Sequence, residues 1–549
     1  MNADRMKETR RQIESNDSEL NKLTISHNFY HPHDGDWESD GKGIGTNTHI
    51  KELCFGNNLA QINMSRDDIL AFCGGLACNK SIERLRIRCA QLFDGEIIHM
   101  LIPFFEQNSN LRCLNVGNLD DSPNSVRLLS ELLSRFHTLR EFSCNYCKLD
   151  DSNIATLIRP LASHSGMTKI GLTANKVGGR AMTALAALLT NPNSSLADLD
   201  LWGCSLDDDG ANTLASAVGS SGTLRKLNLS GNCNITITGW RALFTQLQSP
   251  QSSMASLGLY DNSIDDEAAN LLAYSLANGS INLEVLNLSE NHDITTVGWR
   301  SVFSALQSPR CMLQKLFLHY NEINDEAVTY LGNVLANNCT LRRLGLGDLE
   351  GNRVTSSGWR AFAAILQNPN SALEELDLAR NQINNDVLDS FANSLMHNNK
   401  LKELFIDDRS VTSTGWDALS NVLCNKSSIN ATFNSNHTLG RVFDPDEYGV
   451  DESNLPSDLR ALLQLNRGNT KAEAARRKIL QVHFSGSFSM QHFIDVDTKV
   501  LPHAVAWMAR NEYGSSLLYK FVRNTTLFVG LGCAGTKSEG EPKPKRQKM

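Results

Sequence analysis

Two cysteines spaced by two residues, Cys144-Asn-Tyr-Cys147, spell the C-x-x-C of thiol-redox and zinc sites. Thiol chemistry places that motif at a helix start, where the dipole favours a thiolate, whereas the spacing around these two predicts a strand and a turn. His31-Pro-His33-Asp34 carries metal-ligating side chains, but no further ligand follows at a suitable interval, and a polar surface turn is the expectation. Gly41-Lys-Gly43-Ile-Gly45 has the glycines of a phosphate loop without the preceding strand and following helix, and no G-x-x-x-x-G-K-S/T occurs. No nucleophile, base and orienter can be nominated. The sequence therefore predicts no enzyme, no cofactor, no metal and no catalytic residue.

What positions these residues is a repeat. In Leu283 to Leu306, apolar residues at positions 1, 4 and 6 (Leu283, Leu286, Leu288) predict a short strand, Asn291 stands at position 9, and from Gly298 the spacing becomes helical. The strand pattern begins at Leu20, Ile50, Ile82, Leu111, Leu139, Met167, Leu196, Leu224, Met254, Leu283, Leu313, Leu341, Leu373, Leu401 and Ile429, fifteen units spaced by 28 to 32 residues. Each strand leads to a helix, so consecutive strands must run parallel with the helices on one side. A single unit cannot bury enough apolar surface to fold, so neighbours must stack and the ends need caps.

Position 9 is Asn175, Asn232, Asn262, Asn291, Asn321 or Asn381 in regular units and Cys147 or Cys204 in two others. A buried amide there can satisfy the backbone of the adjoining turn. Ala90 and Leu119 fill the slot in the third and fourth units, which predicts a weaker ladder there. Gly347-Asp348-Leu349-Glu350-Gly351 delays Asn352 by three residues and predicts a small bulged loop. Gly239-Trp240, Gly298-Trp299, Gly358-Trp359 and Gly415-Trp416 recur every second unit, with Ala211, Ala269, Val328 and Leu388 in the equivalent slot between them. Large and small alternate as close packing favours, which reads as packing and as duplication of a two-unit element; a binding column is the alternative.

The pattern L-x-x-L-x-L-x-x-N/C-x-L plus a helix, from Leu20 to Leu439, resembles the leucine-rich repeats of the ribonuclease-inhibitor type. The resemblance implies an α/β solenoid, a horseshoe with parallel strands on the concave face and helices on the convex face. Residues 1–49 are expected to form a polar segment and degenerate capping repeat, 50–439 the solenoid, 440–530 a helical cap and 531–549 a disordered basic tail. In the cap, helices are predicted for Ser457 to Leu465, Lys471 to Phe484 after the N-cap Thr470, Leu501 to Arg510 and Ser515 to Asn524. Through Lys478-Ile479-Leu480, Leu501-Pro502, Ala506-Trp507-Met508 and Leu518-Tyr519…Val522-Arg523-Asn524, this module resembles extensions of leucine-rich-repeat families in microalgae.

The net charge of −8, from 60 acidic and 52 basic residues, supplies no global drive toward nucleic acid or an anionic membrane. Thirteen cysteines dispersed along the chain read as reduced intracellular thiols, and no stretch of about 18 apolar residues occurs. A cytoplasmic protein is expected. Lys543-Pro-Lys545-Arg546-Gln-Lys548 fits a nuclear-import signal, giving import machinery as one expected partner and the nucleus as a second location.

Strand positions 3, 5 and 7 alternate outward with the buried ones and line the concave face. They give Arg84, Arg86 and Arg88 side by side, with Arg112 and Arg140 nearby. Trp202, Tyr260 and His319 follow at position 7 of alternate units, beside Asp261, Phe317 and Tyr320. Asp348, Asp377, Asp407 and Asp408 come last. A face that is basic at one end, aromatic in the middle and acidic at the other is suited to capturing a protein. In the regular unit, Val285, Asn287, Ser289 and Glu290 are the positions left to meet it. The leading expectation is a non-enzymatic scaffold that binds another protein on the concave face, with no membrane or nucleic-acid partner. The alternative is regulation of a small GTPase, because the fold is similar to that of the Ran GTPase-activating proteins, although their acidic tail is absent.

Overall fold

The computed structural model describes residues 2–25, 37–55, 65–88, 93–278, 282–347, 352–368, 371–406, 410–443 and 455–483, with side chains from residue 8. They belong to two compact units, residues 1–353 and 354–549.

In the first unit twelve short strands follow one another: β1 Lys22–Ile25, β2 Glu52–Phe55, β3 Arg84–Ile87, β4 Cys113–Gly117, β5 Glu141–Asn145, β6 Lys169–Gly171, β7 Asp198–Asp200, β8 Lys226–Asn228, β9 Ser256–Gly258, β10 Val285–Asn287, β11 Lys315–Phe317 and β12 Arg343–Gly345. Each pairs in parallel with the next, position 4 against position 4, as in Leu227↔Leu257, Leu257↔Leu286 and Leu286↔Leu316. This is the leucine-rich-repeat solenoid the periodicity implies. Leucines at positions 1, 4 and 6 are almost wholly buried, whereas positions 3 and 5 are open in part or whole except at Cys113, Ser143, Gly171 and Gly345.

The helical layer carries the tryptophan column. Trp240 and Trp299 are fully buried and lie against Phe244 and Phe303 at 5.6 and 5.8 Å between ring centres, so packing, not binding, explains them. The residue before each indole must be small. A Cβ on Gly298 would overlap the carboxylate of Asp266, which reaches from the preceding helix to accept from Thr295 N (2.8 Å), Thr295 Oγ1 (2.6 Å) and Gly298 N (3.0 Å). Asp208 does the same for Thr236 and Gly239. The Gly41-Lys-Gly43-Ile-Gly45 segment lies in the helix Trp37–Thr46, where Gly41 and Gly45 let the backbone of Phe72 and Gly75 approach.

The position-9 ladder forms. Asn321 Nδ2 donates to Leu288 O of the preceding unit (3.1 Å) and to Leu318 O (3.0 Å), while its Oδ1 accepts from Asn291 N (2.8 Å). Cys204 and Cys147 supply only a thiol, toward Leu172 O (3.2 Å) and Val116 O (3.7 Å). Delayed Asn352 still joins: its Oδ1 accepts from Ile323 N and its Nδ2 donates to Leu346 O. Residues 348–351 of the expected loop, and Ala90, lie outside the described residues. A second ladder was not foreseen. Three residues before the strand pattern, Asn79 donates to Ile44 O and Asn47 O, Asn108 to Ile82 O and Asn338 to Leu306 O. Among the described residues of the first unit position 8 is left-handed, with φ between 52° and 67° at Asn118, Tyr146, Ala174, Gly203, Gly231, Asp261, Glu290 and Tyr320.

In the second unit, β13 Glu375–Asp377 pairs in parallel with β14 Glu403–Phe405. The fifteenth register is corrected here. Ile429 begins a short helix, Ile429–Phe433, and the pattern resumes at Leu439, with Arg441 bridging Glu403 and Asn436 in the second-ladder slot, donating to Leu395 O. The apolar spacing from Ile429 to Phe433 imitated a strand start within a helical turn. Helices Ser457–Arg467 and Lys471–His483 follow, near the expected bounds. Asn466 donates to Leu439 O (2.7 Å) and Arg467 to Gly440 O (3.0 Å), and buried Lys478 Nζ donates to Leu423 O (2.6 Å) and Asn436 O (3.1 Å). The helices expected at 501–510 and 515–524, and the tail, lie outside the described residues.

Candidate protein-binding face

Because the strands are parallel and in register, equal repeat positions become neighbours on the outward face. The three arginines of β3 are brought together there, but not as free positive charge. Arg84 reaches across β4 to Glu141 of β5 in a two-pronged ion pair (2.7 and 3.3 Å), and Arg86 lies 3.7 Å from Glu52 of β2. The stem of Arg88 covers Gly117. Arg112 and Arg140 donate to the carbonyls of Ser109 and Gly166. The expected basic end is thus a mixed-charge patch. Glu52 and Glu141 stand at position 3 of units three apart in sequence order, and only a comparison of that position across strands shows them beside arginine.

Of the acidic residues, the expectation for Asp377 is corrected. Asp377 is buried and its Oδ1 accepts from Ala379 N (2.9 Å), so it closes its own turn. Asp348, Asp407 and Asp408 lie outside the described residues.

The aromatic residues of the middle lie on the outward face, open to differing degrees. Trp202 is 37% exposed, and Tyr146, which sequence reasoning passed over, is 53% exposed and meets it edge-on at 6.2 Å. Tyr146 sits at left-handed position 8 rather than at an alternating strand position, so the period-2 rule did not select it. Tyr260 is half-buried; burial and the adjoining Glu290 carboxylate push its phenol well up, so it is an uncharged donor at neutral pH. Asp261 is exposed beside it, and Tyr320 is close enough to contribute to the same electrostatic environment. Phe317 and His319 stack at 6.0 Å, the Arg343 guanidinium lies 5.1 Å from the Phe317 ring, and His319 Nδ1 is 3.1 Å from Gly347 O. Gly345 is what admits this pair, since a Cβ there would overlap the imidazole. Ser289 departs from expectation: it is buried, with Oγ accepting from His319 N (3.0 Å), and is not available to a partner.

Cys144 and Cys147 are both buried, with sulfurs 3.4 Å apart. Their mutual hydrogen bond, with burial, pushes the Cys144 thiol up, while the same bond draws Cys147 down against the effect of its burial. Leu119 N donates to Cys147 Sγ, so the pair serves the ladder. His31, His33 and Asp34 lie outside the described residues. Among the described residues, no helix is long and apolar enough to cross a membrane.

No family model matches the chain. It is 29% identical over 276 residues to mouse NACHT, LRR and PYD domains-containing protein 14, half of this chain and 27% of that protein. It is 29% identical over 272 residues to pig ribonuclease inhibitor, 49% of this chain and 58% of that protein, and 23% identical over 342 residues to the mouse ribonuclease inhibitor, 57% of this chain and 73% of that one. The chain spans between 27% and 32% of the length of the NACHT, LRR and PYD relatives it matches. The solved yeast Rad7 and Elc1 complex aligns with 76% of the chain at 18% identity and a TM-score of 0.42, too loose a likeness to add to the fold assignment. Nothing in these relatives supports the microalgal likeness of the carboxy-terminal module. The repeat register, the parallel ladder and the curated relatives together give this chain the leucine-rich-repeat solenoid fold of the ribonuclease-inhibitor type.

Proposed function

We propose that the chain is a non-catalytic scaffold that captures another protein on the outward strand face, which the sequence assigns to the concave side. The observation that carries this reading is the exposed aromatic group of Tyr146 and Trp202, continued by Tyr260, Phe317 and His319 on every second strand of the in-register ladder. The fold ordinarily buries large apolar side chains, and rigid aromatic rings held in the open by a parallel ladder suit a binding hot spot. Pig and mouse ribonuclease inhibitors, named for an action on another protein, are relatives of this chain, which favours a protein partner. The mixed-charge patch around Arg84 fits the polar rim of such an interface, where charge sets orientation and on-rate. A Trp202→Ala, Tyr260→Ala double variant is expected to lose the partner while keeping its thermal unfolding; unchanged capture in a pull-down removes this site.

A further inference from the structure

Position 7 alternates in size from β6 onward: Thr173, Trp202, Ser230, Tyr260, Ser289, His319, Gly347. The small members are floor. Ser230 and Ser289 are buried, their hydroxyls accepting from Tyr260 N (3.1 Å) and His319 N (3.0 Å), and the Trp202 indole lies over Gly231. Three aromatic ridges thus stand on every second strand, separated by shallow troughs. Neighbouring strands lie about 4.8 Å apart, so the ridges recur at roughly 9.6 Å.

We propose that this stepped face takes a basic, proline-rich segment in the polyproline II conformation, lying across the strands with one turn for each ridge. The inference rests on the reading above that a protein binds here, and names the kind of segment. Polyproline II advances about 9.3 Å per three-residue turn, so residues i, i+3 and i+6 meet Trp202, Tyr260 and His319 with a drift of only about 0.3 Å per step. An α-helix repeats a face after about 10.5 Å and an extended strand after about 6.7 Å, and both fall out of step. Proline rings enter troughs between aromatic planes, and the segment is already ordered before it binds. Charge points the same way. Between Thr173 and Tyr320, positions 7 and 8 carry Asp261 and Glu290 and no lysine or arginine, so a lysine or arginine in the segment finds a carboxylate beside the second ridge.

The test uses the full chain and three fluorescein-labelled peptides of equal length and charge: four copies of Pro-Pro-Lys, four copies of Gly-Ser-Lys, and a helix-forming alanine–lysine peptide. Anisotropy is read at fixed salt, and tryptophan emission is followed in parallel in wild type and in Trp202→Phe, since among the described residues Trp202 is exposed while Trp37, Trp240, Trp299, Trp359 and Trp416 are buried. The proline peptide is expected to bind at least about tenfold more tightly than either control and to be weakened at least about tenfold by Trp202→Ala and by Tyr260→Ala. Trp202→Phe and the helical-side Tyr274→Ala should retain binding, and the melting temperature of each variant reports folding. Equal or tighter binding of a control peptide, or no proline-peptide binding up to about 1 mM, overturns the proposal. A control peptide that binds and is lost in Trp202→Ala refutes the polyproline occupant but keeps the face. A captured protein partner that survives the double variant refutes the face itself.

Discussion

Replacing Asn321 by alanine and, separately, Asn291 by alanine probes the position-9 ladder at two adjacent, equally buried rungs. Removing the Asn321 amide takes the acceptor from Asn291 N and the donor from Leu318 O, while Leu288 O keeps its bond from Asn291 Nδ2 (3.0 Å). Two buried backbone groups therefore lose that partner, at about 1–3 kcal/mol each, for a loss of about 4 kcal/mol. At Asn291 the outcome differs. Its Oδ1 accepts nothing among the described residues, Leu288 O keeps Asn321, and Ser289 O keeps Asp261 N, so mainly Leu259 O loses its donor. The loss should be about 2 kcal/mol. Asn321→Cys should fall between wild type and alanine, because a thiol can still reach one carbonyl as Cys204 does. Urea unfolding with the m-value checked for constancy gives the difference. Equal losses at the two rungs, or a loss below about 1 kcal/mol at Asn321, would refute the partner-by-partner reasoning.

Other consequences are open to measurement. Trp299→Ala should cost about 3–5 kcal/mol in urea unfolding, whereas Trp299→Phe should cost far less, since the indole N–H has no partner among the described residues. Gly345→Ala should displace the Phe317–His319 pair, seen as shifted His319 ring resonances, with partner capture reduced. In the second unit, burial lowers the Lys478 ammonium to about 7, against two carbonyls that favour its charge. The unfolded lysine holds its proton to a higher pH, so stability should rise from pH 7 toward 10, and Lys478→Met should flatten that rise. Burial and Lys478 also lower His437 to about 4; here the unfolded chain is the better proton acceptor between pH 4 and 6.5, so stability falls as pH drops through that window.

The solenoid was legible because one signal was written many times. Leucines at positions 1, 4 and 6 and an amide at position 9 agree from unit to unit, so a stray residue in one unit does not move the register. At Ile429 no regular unit follows to fix the register, and a helical turn carries the apolar spacing of a strand start. The second asparagine ladder was hidden for a different reason. Asn79, Asn108 and Asn338 lie in polar turns, where asparagine is ordinary, and only the carbonyls they reach show their work. On the outward face the sequence located the aromatic residues but not their neighbours. Glu141 opposes Arg84 across the single strand β4 although 57 residues separate them in sequence, and Ser289 is buried because a backbone N–H of the next unit sits on its hydroxyl. Position 8 was legible in type and not in geometry: non-glycine residues hold a left-handed backbone there, which turns Tyr146 outward.

The central claim is that a protein partner sits on the strand face over Tyr146, Trp202 and Tyr260. Quantitative affinity capture with the wild-type chain, the Trp202→Ala, Tyr260→Ala variant and a helical-side control, Tyr274→Ala, which removes another exposed aromatic, tests it most directly. The account predicts a partner retained by wild type and by Tyr274→Ala and depleted at least about tenfold by the double variant, the scale of a hot-spot loss. Undiminished capture by the folded double variant, or capture lost only with Tyr274→Ala, would contradict it.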